Sequence, residues 1–149
     1  MPAPRILLAI PTHTDRHLAL CLAALAAQTR RPDAVCVSCD GEHEGVRRVC
    51  AAAAERGLRP LLLASREHTG EPRLNQVRNN ALRALAERAD PRPEDLVVVI
   101  DGDIALAPDA LGRHARLAEG GAGVILPNRI NLDEAATAAL RDEDVRAGR

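Results

Sequence analysis

LVVVIDGDIALAP (residues 96–108) sets an aliphatic run, Leu96 to Ile100, directly before two carboxylates separated by one glycine. The run has the length and β-branched content of a fully buried strand. Asp101 and Asp103 then stand as like charges at the edge of a core, where they cannot both stay ionised at close range without compensation. A hard divalent cation, Mg2+ or Mn2+, supplies it by taking carboxylate oxygens and completing its shell with water and phosphate. Gly102 lets the backbone come close and turn. Taken alone, D-G-D also reads as a strand-to-helix turn in which Asp103 or Asp109 caps the helix entered at Pro108.

Outward from this stretch, short aliphatic runs alternate with helical periodicity. RILLAI (5–10) reads as a first strand, and Thr14 offers an N-cap to a helix with Leu18, Cys21, Leu22 and Leu25 on one face. AVCVSC (34–39) is a second strand, before a helix carrying Val46, Val49, Cys50 and Ala53 inward and stopped by Gly57. LLLA (61–64) is a third, and the loop SREHTGEP leads to a helix with Leu74, Val77, Ala81 and Leu85 in register. LVVVI is a fourth strand; a helix from Pro108 to about Leu117 follows, then GVILP (123–127) as a fifth. The pattern predicts one α/β domain over 1–149, with a core at 4–130 and a charged helical tail at 131–149 that has little to bury.

Strands alternating with helices imply a parallel sheet with helices on both faces. In such sheets ligands sit beyond the carboxyl ends of the strands. The segments there are polar: Pro11 to Arg16, Asp40-Gly41-Glu42, Arg66 to Gly70, and Asp101-Gly102-Asp103. IPTHTDRH contains no glycine, so the glycine-rich dinucleotide turn is excluded.

Composition narrows the chemistry further. All 20 basic residues are arginine, which excludes a Walker A loop, a Schiff base or a lysine base. Aromatic content is 0%, so no ring is on offer for stacking sugars or bases. A net charge of -1 with interspersed signs gives no steering toward nucleic acid. The apolar run Ile6–Ile10, broken by Pro11, is too short for a transmembrane segment or signal core, and a cytoplasmic protein is expected. Cys21, Cys36, Cys39 and Cys50 suit core packing in a reducing compartment; positions 36 and 39 of one strand point to opposite faces. His13, His17, His43 and His68 lack metal-ligand spacing and read as loop or surface residues.

RILLAIPTHTDRHLALCLAALAAQTRRPDAVCVSCDG resembles the opening of glycosyltransferase family 2: a P-T pair after the first strand, L-x-x-Q-T-x-x-P closing a helix, and a strand ending in D-G. GEPRLNQVRNNAL is similar to that family's G-x-x-x-A-R-N-x-G segment, with Asn80 and Ala81 departing from it. VVVIDGDIALAPDALGRHARL matches its D-x-D followed by P-x-x-L-x-x-H. The resemblance implies the GT-A fold, a Rossmann-like and mostly parallel sheet, and metal-dependent transfer of a sugar from a nucleotide-diphospho-sugar to an unknown acceptor. It also implies roles. Thr12, Asp40 and Arg78 hold the nucleotide, with Asn79 in the R-N position; Asp101 and Gly102 lie near the ribose and metal, and Asp103 ligates Mn2+ or Mg2+.

In that family the acceptor site and general base belong to a second half, beyond the 149 residues here. The expectation is a truncated donor half, completed by a second polypeptide or inactive alone; a non-catalytic nucleotide-sugar-binding module is the alternative. An aspartyl phosphatase fits less well, because its D-x-D follows the first strand and needs a hydroxyl residue where Ile104 and Ala105 stand.

Overall fold

The computed structural model describes residues 3–148, so positions 1, 2 and 149 of the expected domain and tail lie outside the described residues. Strands β1 (Ile6–Thr12), β2 (Ala34–Asp40), β3 (Leu61–Arg66) and β4 (Leu96–Val99) form one parallel sheet, ordered β3-β2-β1-β4. The longer helices are α1 (Leu18–Ala26), α2 (Glu44–Glu55), α3 (Leu74–Ala89) and α4 (Ala110–Glu119); α5 (Glu134–Ala139) and α6 (Asp142–Ala147) follow.

The two-residue period of the strands divides the core. Ile6, Leu8 and Ile10 of β1 with Val35, Val37 and Cys39 of β2 pack against α1, α2 and α4 through Leu18, Leu22, Leu25, Val46 and Leu111. On the other face Leu7, Ala9, Ala34 and Cys36 meet Ala81 and Leu85 of α3. Each fully buried Leu or Ile contributes about 1.5–3 kcal/mol, so the two clusters supply much of the driving force. Helices on both faces of a parallel sheet match the expectation, as does the division of Cys36 and Cys39 between the faces; the four thiols are buried and free.

The start of the sheet is tied by charge. Arg5 Nη2 lies 2.5 Å from Asp95 Oδ2, and the same guanidinium donates to the carbonyls of Ala89 and Asp90. The entries to β1 and β4 and the end of α3 are thereby joined. The side chain of Asp95 is 1% exposed, and the hydrogen bond from Arg5, opposed by burial, pulls its carboxyl down to about 2.

Several expectations are corrected. GVILP (123–127) is not a strand: residues 124–133 carry no regular structure, and Val124, Leu126 and Ile130 are exposed. Its apolarity is the whole signal, and a strand also needs a ladder partner. β4 is not buried on both faces; Leu96 and Val98 face the larger cluster, whereas Val97 and Val99 are 49% and 44% exposed beside α3. Thr14 does not cap α1. That helix starts at Leu18 behind His17, and the Thr14 hydroxyl accepts from the Arg16 amide instead. Pro108 precedes α4, and Asp109 pairs with Arg113 rather than capping it. The tail is two short helices, and α6 buries Val145 against the body by packing on α1. No described helix is long and apolar enough to cross a membrane.

Candidate functional site

The strand order reverses between β1 and β4, and the carboxyl end of a sheet at such a switch point is where a crevice opens. Two backbone bonds extend the pairing of β4 past its last residue: Ile100 N–H donates to Ala9 O and Gly102 N–H to Pro11 O, each at 3.1 Å. Asp101 and Asp103 are therefore mounted on the central strand. A Cβ on Gly102 would stand 2.9 Å from Thr12 Oγ1 and 3.0 Å from Thr12 Cβ, closer than packed atoms tolerate, so this position needs glycine for space.

The two carboxylates differ in their partners. Asp101 continues the parity of Val97 and Val99 toward α3, and Arg78 Nη2 donates to its Oδ1 at 3.1 Å. Asp103 is exposed, has no ion pair among the described residues, and lies near enough to α1 to act on Cys21. Burial first, then the negative field of Asp103, pushes that thiol up to about 12. Compensation for the like charges thus comes partly from the protein, through Arg78.

Thr12 closes β1 with its hydroxyl satisfied locally, donating to Thr14 O at 2.7 Å. Asn79 is exposed on α3 and its side chain makes no hydrogen bond among the described residues, so it is not brought into the cluster.

Asp40 sits among groups that the sequence pattern leaves unassigned. The β2–β3 register sets it directly beside Arg66, whose Nε lies 2.6 Å from Asp40 Oδ1. The contact is an ion pair rather than an aligned hydrogen bond, because Nε itself has no hydrogen-bond partner. Arg66 also donates to the carbonyls of Glu67 and Glu71, holding the following loop. His68 Nδ1 lies 3.3 Å from the same Asp40 oxygen. Gly41, at φ +96, lets the chain turn under His68, whose Cβ would be 3.1 Å from an added Cβ there. Burial opposes the charge of Asp40, whose side chain is 4% exposed; His68, Arg66 and the Arg73 amide outweigh it and hold the carboxyl below its usual range. Extending the third strand by two residues brings Arg66 into view from sequence, since partners in register interact.

A hard cation fits this donor set. Among the described residues no three His, Cys, Asp or Glu side chains converge as a closed metal cage. One carboxylate without an ion pair, Asp103, beside a second, Asp101, with water and phosphate oxygens completing the shell, is the ligand type that Mg2+ and Mn2+ accept.

None of the curated proteins compared with the chain matches it. The family described as glycosyltransferase-like family 2 does, over residues 4–144, and the parallel sheet with helices on both faces agrees with that match. The chain belongs to glycosyltransferase-like family 2.

Proposed function

We propose that this site binds the nucleoside diphosphate of a sugar nucleotide together with Mn2+ or Mg2+, and holds it for glycosyl transfer to an acceptor. The observation that carries this is the mounting of Asp101-Gly102-Asp103 on β1 at the switch point, by the Gly102 amide on Pro11 O. Asp103 is the protein ligand to the cation. Arg78 and Asp101 form a paired rim for ribose and phosphate, and Asp40, anchored by Arg66 and His68, shapes the far end where the base lies. The cation, when bound, supplies Lewis-acid stabilisation of charge on the departing diphosphate. Thr12 acts through the turn its hydroxyl fixes, since that hydroxyl is engaged with Thr14. The site is the donor side of the reaction only; the acceptor and the base that takes its proton are no part of it.

Titration calorimetry with UDP-, GDP- and dTDP-sugars, with and without Mn2+, tests this. Tight binding of one nucleotide in Mn2+, lost in Asp103→Asn, is the expected result. Binding with no transfer to any acceptor would favour a non-catalytic binding module. Absence of nucleotide binding under every condition sinks both readings.

A further inference from the structure

The helix-ending motif L-x-x-Q-T-x-x-P contains a buried amide that the donor site does not account for. Gln28, just past the end of α1, is 4% exposed. Its Nε2 donates to Ala107 O at 2.7 Å, with longer contacts to Ala24 O at 3.2 Å and Leu106 O at 3.4 Å. Its Oε1 accepts from the Leu111 amide at 3.0 Å. The partners fix the orientation of the amide, since the nitrogen faces carbonyls and the oxygen faces an N–H.

Its place in the chain gives these bonds their meaning. Upstream of Asp103 the backbone is pinned at Gly102, on Pro11 O; downstream it is pinned at Leu106 and Ala107, on Gln28. Asp103 lies in the short span between two anchors, one on the central strand and one beside α1, in a turn that the Ile104 N–H closes on Asp101 O at 3.1 Å. Holding both the carbonyls and the Leu111 amide takes a donor and an acceptor on one side chain. Leucine offers neither, glutamate keeps only the acceptor, and lysine only the donor. The backbone bond from Thr29 N–H to Pro108 O, at 2.8 Å, does not involve the Gln28 side chain and still ties the entry of α4 to the end of α1 when that side chain is changed.

We infer that Gln28 is a positioning residue for the metal step, fixing the turn that carries Asp103 so that its carboxylate meets the cation without prior rearrangement. This rests on the donor-site reading above. Groups that hydrogen-bond a metal ligand are worth about 10- to 100-fold in metal affinity; Gln28 reaches Asp103 only through the backbone of the turn, so that range bounds the effect.

The test compares the wild-type chain with Gln28→Leu and Gln28→Glu, titrating UDP, GDP and dTDP with Mn2+ and again with the metal chelated. Gln28→Leu removes donor and acceptor without burying a charge, and Gln28→Glu keeps the shape and the acceptor for Leu111 but, when ionised, sets a buried carboxylate against the Leu106 and Ala107 carbonyls; circular dichroism melts accompany each titration. The expected result is loss of about 10- to 100-fold of the Mn2+-dependent gain in nucleotide affinity in both variants, with metal-free affinity unchanged. An unchanged Mn2+ gain overturns the inference. So does an equal loss with and without metal, which marks Gln28 as structural only. A wild-type chain that binds no nucleotide defeats the donor-site reading itself, visible before any variant is made, and this inference falls with it.

Discussion

Gly102 has its amide on Pro11 O and no room for a side chain on the Thr12 side. Gly102→Ala forces a Cβ into the buried Thr12, and overpacking of that kind costs about 1–3 kcal/mol. A lowered melting temperature together with weaker Mn2+-dependent nucleotide binding is expected, because the same shift displaces Asp103. At the other end of the site, Arg66→Met leaves the Asp40 carboxylate buried without its main cation. Stripping one partner from such a pair costs about 3 kcal/mol. Adding Asp40→Asn to Arg66→Met is expected to recover part of that loss, and a double-mutant cycle by chemical denaturation measures the coupling. The D-G-D residues were legible in the sequence because two carboxylates directly after an aliphatic run mark the carboxyl end of a strand, where ligands of a parallel sheet gather. Arg66 and His68 were not, because they join Asp40 only through the β2–β3 register, and the sequence pattern ends that strand two residues too early to bring Arg66 alongside.

Among the elements, β4 shows how far periodicity reaches. The aliphatic run announces a strand, but not that α3 covers β1, β2 and β3 while leaving Val97 and Val99 open. The same limit explains GVILP, where hydrophobicity without a ladder partner produced no strand. The packing of α6 is hidden in the sequence because a single apolar residue, Val145, does the docking in a charged segment. The entry to β4 also carries the molecule's clearest acid sensitivity. Asp95 is held near 2 in the fold against a reference of 3.8, so folding stabilises its ionised form. That stabilisation is fully present above about pH 4 and is lost as pH falls through the folded value near 2. Asp95→Asn is therefore expected to lower the melting temperature at pH 7 and to flatten its fall between pH 4 and pH 2, read by circular dichroism melts.

For the molecule as a whole, Val97 and Val99 are half-exposed on β4, an outer strand of the sheet, and Val124, Leu126 and Ile130 are exposed in the segment after α4. Concentration-dependent association is expected, and Val97→Thr with Val99→Thr is expected to reduce it in light scattering while leaving nucleotide affinity intact. The central place of β1 has a consequence in time. β1, β2 and β3 can assemble from neighbouring parts of the chain, but β4 joins β1 from 90 residues away, as the Arg5–Asp95 pair spans. Contacts that distant close late, because a long loop must be ordered before they repay it. Until that closure Asp101 and Asp103 have no mount, whereas the β2–β3 register already sets Asp40 beside Arg66. Acquisition of metal-dependent nucleotide binding during refolding would thus clock the arrival of the last strand, making the ligand a reporter of completed folding rather than of early collapse.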